Sequence, residues 1–230
     1  MIMSMYREAE RGAADGKAGK TERDGGFRKE RDFRIIAVTN RSLSRGEYFS
    51  RIGKIAASGV DAVIVREKDM TEAAYEELAG RVMEICAGAG VGCILHTYAE
   101  AARRLGCGML HLPLPVLKQM RQDEKKPAGG QTGILSSFHT IGASVHSPVE
   151  AAEAEELGAD YVTAGHVFAT DCKKGAEPRG LGFLRETVNA VSIPVFAIGG
   201  ISSENIGSVR EAGAAGACIM SQMMKGSFYE

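Results

Sequence analysis

From Phe33 onward, short apolar runs alternate with longer amphipathic stretches. The runs are Ile35-Ile36-Ala37-Val38, Ala62-Val63-Ile64-Val65, Cys93-Ile94-Leu95, Met109-Leu110, Ile141-Gly142-Ala143-Ser144-Val145, Tyr161-Val162-Thr163-Ala164, Val195-Phe196-Ala197-Ile198 and Ala217-Cys218-Ile219-Met220. Short runs of this kind, rich in β-branched residues and bounded by Gly, Asp and Pro, predict strands buried on both faces. Between them, Glu72 to Ala87, Pro148 to Leu157 and Glu204 to Ala212 repeat Ala, Leu, Val and Met at helical spacing. Three helices pass through a glycine into the next strand with similar words: Ser58-Gly59-Val60-Asp61, Leu157-Gly158-Ala159-Asp160 and Ala212-Gly213-Ala214-Ala215. A glycine that ends a helix just before a strand is αβ-loop chemistry. Eight βα units in about 200 residues predict a compact (β/α)₈ TIM barrel. A doubly wound open sheet is the second choice; it usually has fewer strands, and no G-x-G-x-x-G follows the first run.

The two ends depart from this pattern. Residues 1–32 carry eight Lys/Arg and seven Asp/Glu with almost no periodic apolar positions after Tyr6, which predicts a disordered charged tail ahead of a barrel domain at 33–230. Only nine residues follow Ser221, so the eighth outer helix is expected to be missing or shortened. That would leave the apolar face around Ile35, Cys218 and Ile219 uncovered, and such a face predicts a homo-oligomer or a marginally stable monomer.

Charge and cysteine content narrow the function classes. With 44% hydrophobic and 25% charged residues and a formal net charge of -1, the 230-residue chain has no global basic field for nucleic acid or an anionic membrane. Small molecules are the expected partners. No apolar run approaches the roughly 18 residues of a membrane span or resembles a signal peptide, so a cytoplasmic location is expected. The five cysteines are scattered without a Cys-x-x-Cys, which argues against a disulfide framework or a structural zinc site.

In a (β/α)₈ barrel the chemistry lies at the C-terminal strand ends. Here those ends carry Arg66-Glu67-Lys68, His96-Thr97, His111, His146-Ser147, Gly165-His166, Gly199-Gly200 and Ser221, so four of five histidines converge on one face. His139, ahead of the fifth strand, falls on the opposite face and is expected to be exposed. Gly199, Gly200, Met220 and Ser221 occupy the ends of strands seven and eight, where glycine lets backbone N–H groups approach a phosphate and a helix N-terminus adds positive potential. The segment Gly165 to Gly180 is long for a βα loop and predicts a lid over an anionic ligand. Arg66, Lys68, Lys173 and Lys174 could add charge at the same mouth. Asp171 and Cys172 have no sequence partner that would give them a metal-binding or nucleophilic role.

The words VREK (65–68), Gly108 to Leu112, SVHS (144–147), GADYV (158–162), GHVFATDCKKG (165–175) and FAIGGIS (196–202) resemble the thiamine phosphate synthase and TenI superfamily, from about Phe33 to Ser221. The resemblance implies a (β/α)₈ barrel. The synthase branch places metal-binding carboxylates after strands three and four; here those places read His96-Thr97-Tyr98 and Pro113-Leu114-Pro115. After strand six the chain is similar to the TenI branch. That similarity implies a thiazole tautomerase that aromatises a carboxythiazole phosphate with no metal or other cofactor, and makes His146 the catalytic residue. Imidazole titrates near 6.5, as a proton shuttle at neutral pH requires. His166, Val167, Phe168, His96, Arg66, Lys68 and Lys173 are the implied substrate contacts. The alternatives are a Mg²⁺-dependent thiamine phosphate synthase and an inactive regulatory or ligand-binding TenI-like protein.

Overall fold

The β-branched runs form β1 (Arg34–Val38), β2 (Ala62–Val65), β3 (Gly92–His96), β4 (Met109–Pro113), β5 (Thr140–Val145), β6 (Tyr161–Gly165), β7 (Val195–Ile198) and β8 (Gly216–Ile219). All are parallel, each pairs with the next, and β8 pairs with β1 to close a barrel. The computed structural model describes residues 33–124, 133–173 and 175–228; the expected tail at 1–32 lies outside them. The intervening amphipathic stretches form α1 (Tyr48–Ala57), α2 (Glu72–Ala89), α3 (Ala99–Arg104), α4 (Leu114–Glu124), α5 (Pro148–Glu156), α6 (Gly180–Ala190), α7 (Ile206–Glu211) and α8 (Ser221–Lys225). Among the described residues, no helix is long and apolar enough to cross a membrane.

The repeated αβ words have a common mechanism. Gly59, Gly158 and Gly213 adopt positive φ (+87°, +79° and +87°), the left-handed turn that ends a helix. The Asp that follows then clips the start of the preceding strand. Asp61 N–H donates to Ile35 O while Asp61 Oδ2 accepts from Ile35 N, both at 2.8 Å. Asp160 makes the same reciprocal pair with Ile141, both bonds at 2.7 Å. The third word has Ala215 in place of Asp, and there the backbone bond alone remains, from Ala215 N to Val195 O.

Strand side chains alternate between two cores. The outer layer, between barrel and helices, includes Ile35, Val63, Leu95, Leu110, Val162 and Ala197. The lumen holds Ile36, Val38, Ala62, Ile64, Ile94, Tyr161, Phe196 and Cys218.

The structure corrects the expected apolar exposure at the C-terminus. The eighth outer helix is shortened to the five residues of α8. Yet Ile35 and Ile219 are 3% and 2% exposed. Met223, Met224 and Phe228 are buried in the same outer layer, and α8 packs on β1 and α1. Cys218 faces the lumen, so it never belonged to that outer face. Side-chain volume, rather than helix length, closes the seam.

Candidate active site

His146 stands one residue beyond β5 and is exposed at the mouth. Its position is fixed from both sides. Ser147 caps α5 by accepting from Glu150 N at 3.0 Å, Pro148 occupies the first turn, and Glu150 Oε2 accepts from His146 N at 2.6 Å. This is a capping box displaced by one residue. The imidazole Nδ1 lies 2.8 Å from Gly165 O at the end of β6. A carbonyl only accepts, so Nδ1 carries the hydrogen and Nε2 presents the basic lone pair.

Below His146, the lumen side of β4 to β6 is polar. His111 Nδ1 meets Tyr161 Oη at 3.0 Å and Nε2 meets Ser144 Oγ at 2.8 Å. Thr163 Oγ1 donates to Ser144 Oγ at 3.3 Å. The His96 and His111 rings lie 5.5 Å apart. Burial, helped by His111, Arg66 and Lys68, drives His96 down to about 2, and burial with Arg66 drives His111 to about 3. Both are therefore neutral hydrogen-bonding groups at neutral pH. Thr97, beside His96, takes a left-handed φ of +72°, costly for a β-branched residue. It is held there by a bond from its N–H to His111 O and by its Oγ1 at 2.7 Å from His96 Nδ1.

Arg66, Lys68 and Lys173 gather on the opposite rim. Lys68 is pushed below the usual lysine range first by Arg66, then by burial and Lys173. Burial lowers Arg66 as well. None of the three has an ion-pair partner among the described residues. Glu67, between two of them in sequence, turns away and accepts from Thr39 Oγ1 at 2.7 Å and Arg41 N at 3.0 Å. Glu67 holds the Arg66 guanidinium up in part, but burial outweighs it, and cations crowded in this way favour an anionic ligand.

Gly199 and Gly200 follow β7 with φ of +101° and +66°. The β6 loop lies directly on them, so a Cβ at Gly199 would meet His166 and one at Gly200 would meet Ala169 O. Their glycine character thus already has a packing cause. Asn205 Nδ2 donates to Gly200 O at 2.9 Å, and Ser221 begins α8 alongside. The loop is pinned at its base by Val167 N to Ile198 O, Phe168 N to Gly199 O, Arg179 N to His166 O and Gly180 N to Val167 O, each 3.0 Å. Its tip reaches the start of α8, with Cys172 Sγ 3.5 Å from Ser221 Oγ.

One of the expected site residues is placed differently from the sequence reading. Val167 is 0% exposed in the outer core, so its side chain is not open to a ligand. His166 is half-buried, with Nε2 3.3 Å from Ala176 O inside the loop, and Phe168 packs against the outer core. Met220 packs against the lumen cluster. His139 is exposed as expected. Sequence reasoning gave no role to Ser144, Thr163 or Tyr161 and placed His111 only at a strand end, where the structure buries it at 2% exposure. The available signal was the period of two: Gly142, Ser144 and His146 share one face of β5, and Tyr161 and Thr163 share one of β6.

The Mg²⁺ that the synthase branch implies does not fit these residues. The ends of β3 and β4 present His96, Thr97 and Pro113, Glu67 is committed to Thr39 and Arg41, and Asp69 pairs with Arg41 at 2.6 Å. Mg²⁺ requires oxygen ligands, usually carboxylates. Among the described residues no group of three or more His, Cys, Asp or Glu is placed to hold a metal ion.

Comparison with known proteins places this geometry in context. The family described as thiamine monophosphate synthase matches residues 35–223. A thiamine-phosphate synthase of Syntrophomonas wolfei is 33% identical over 206 residues, covering 86% of this chain and 92% of the relative. One from Caldanaerobacter subterraneus is 34% identical over 178 residues, covering 77% and 79%. The solved thiamine phosphate pyrophosphorylase of Pyrococcus furiosus superposes with a TM-score of 0.70 at 26% identity, covering 85% of this chain and 89% of that one.

Proposed function

The chain belongs to the thiamine monophosphate synthase/TenI family, and from that membership we propose that it works in thiamine biosynthesis as a cofactor-independent tautomerase that aromatises a carboxythiazole phosphate. The observation that carries this reading is His146, whose Nδ1 is occupied by Gly165 O and whose Nε2 is thereby the basic atom at the mouth. His146 Nε2 takes the proton from ring C2; the freed electron pair shifts through the ring toward the exocyclic carbon and the carboxylate. The resulting imidazolium returns a proton to the exocyclic carbon, so one C–H bond breaks, another forms and His146 ends neutral. The phosphate sits on Gly199, Gly200, Met220 and Ser221, with Arg66, Lys68 and Lys173 completing the anionic pocket and His96 contributing a neutral hydrogen bond.

His146→Gln should lower turnover of the carboxythiazole phosphate by about 10²-fold or more while leaving the melting temperature unchanged. Near-normal turnover would overturn the assignment. A second reading, Mg²⁺-dependent synthesis of thiamine phosphate, is favoured by the names of the relatives. Incubation with hydroxymethylpyrimidine pyrophosphate and thiazole phosphate separates the two. Tautomerisation that survives EDTA supports the first reading, and thiamine phosphate formed only with added Mg²⁺ supports the second.

A further inference from the structure

Just past β1 and β2, Thr39 and Glu67 form a buried polar contact that takes no part in the chemistry proposed for His146. In β2, Ala62 and Ile64 face the lumen while Val63 and Val65 face the outer layer. Carried on, the alternation sends Arg66 toward the lumen side and Glu67 outward. The same period sends Thr39 outward from β1, the neighbouring strand, so the two side chains meet there at 0% and 4% exposure. Thr39 Oγ1 accepts from Arg66 N at 2.9 Å and donates to Glu67 Oε1 at 2.7 Å. Arg41 N donates to both carboxylate oxygens, at 3.1 and 3.0 Å. The turn is also fixed from the β3 side. Tyr75 Oη donates to Val65 O at 2.7 Å and accepts from His96 N at 2.9 Å, and Tyr98 Oη donates to Met70 O at 2.6 Å.

A buried carboxylate is a costly way to join two strand ends. Val63 and Val65 pack on the same outer face with apolar contacts alone, and replacing both partners of a buried hydrogen bond by apolar groups of the same shape can be neutral or stabilising. An apolar pair cannot supply direction, however. A threonine hydroxyl has one proton, and Glu67 takes it, which leaves only lone pairs for the Arg66 N–H. The Arg66 peptide is thereby oriented by a single hydroxyl that is itself oriented by the carboxylate. The same carboxylate favours the charged guanidinium against the burial that opposes it.

We propose that Thr39 and Glu67 are positioning residues that lock the Arg66 peptide against β1 and so aim its guanidinium into the mouth before an anion arrives. The proposal rests on the reading of the Arg66, Lys68 and Lys173 rim as part of the anionic pocket. An arginine already aimed at its ligand loses less side-chain freedom on binding.

Calorimetric titration of the full chain with inorganic phosphate tests it. Arg66→Gln should weaken binding by about tenfold, the worth of one charge-assisted hydrogen bond. Thr39→Val keeps the shape, loses the hydroxyl and should weaken binding by a similar factor, whereas Thr39→Ser should restore it to within about twofold of wild type. The two losses should not add. With Arg66 already changed to Gln, Thr39→Val should cost less than about twofold, because it acts through that side chain. Should Thr39→Val fail to fold, Glu67→Gln takes its place in the cycle, since it keeps the shape and turns one acceptor oxygen into a donor. A general loosening of the site would weaken both backgrounds alike, and that result overturns the proposal, as does a Thr39→Val that binds phosphate like wild type. Failure of the rim reading looks different: wild type binds no phosphate, or Arg66→Gln binds it as tightly as wild type, and the positioning role falls with it.

Discussion

The lumen of the barrel solves one packing problem twice and with opposite chemistry. On one side, Phe196 of β7 lies over Gly216, its registered partner on β8; a Cβ at Gly216 would strike the ring. On the other, Tyr161 of β6 lies over Gly142, its registered partner on β5. The two rings meet edge to face with centroids 5.5 Å apart. Phe196 belongs to the apolar lumen cluster with Ile36, Ile64, Ile94 and Cys218, whereas the Tyr161 hydroxyl meets His111, which in turn meets Ser144. Both halves are filled, so packing alone does not say where chemistry belongs. The phenolic oxygen does, because a buried hydroxyl needs a partner and that partner propagates polarity to the mouth.

The largest contrast should come from Phe196→Ala. It removes a fully buried ring opposite a glycine that cannot fill the space, so stability should fall by about 4 kcal/mol, read from chemical denaturation. The folded variant should keep its kcat. A fall in kcat as large as that of His146→Gln would show that the apolar half takes part in chemistry.

Acid should attack the polar half alone. His96 and His111 are neutral in the fold at about 2 and 3 and titrate near 6.5 when unfolded, so the unfolded chain binds more protons between those values. Stability is therefore complete above about pH 6.5 and declines as pH falls toward 3, by up to about 2 kcal/mol per histidine at pH 5. Melting curves from pH 7 to 5 check this. The double variant His96→Asn, His111→Gln should flatten the decline, and an unaltered slope would assign the acid sensitivity elsewhere.

The smallest effect sharpens the symmetry itself. Gly142→Ala and Gly216→Ala should each cost roughly 2 kcal/mol through overpacking, and only Gly142→Ala should also depress turnover, by displacing His111. Equal turnover in the two variants would mean that the His111 position is not used.

How much of this was legible in the sequence depends on the period at which it is written. The strands stood out because β-branched runs such as Ala62-Val63-Ile64-Val65 are buried on both faces, and every helix that showed 3.6-residue spacing was found. His146 was reached through the strand-end rule and a family word, and its tautomer only through Gly165, nineteen residues away in sequence. The polar lumen was harder to see. Tyr161 and Thr163 sit in an otherwise apolar run, where a single polar residue reads as tolerated, and only β4–β5–β6 register brings them to His111. Val167 was misplaced because a loop read linearly does not reveal that its base folds back into the outer core. Asp61 and Asp160 were noticed as parts of a repeated word, while their role as clips needs the neighbouring strand in place.

The seam under α8 has a consequence for how the barrel forms and opens. β1 meets β2 through Ile36 and Ala62, 26 residues apart, but meets β8 through Ile36 and Cys218, 182 residues apart. Closing a loop of that length costs roughly 2 kcal/mol more in chain entropy than closing the shorter one. The β8–β1 ladder is therefore the last to zip and the first to part, with Met223, Met224 and Phe228 acting as its latch. In hydrogen–deuterium exchange the amides across this ladder should lose protection before those of β5 and β6, so the barrel breathes away from the polar network beneath His146.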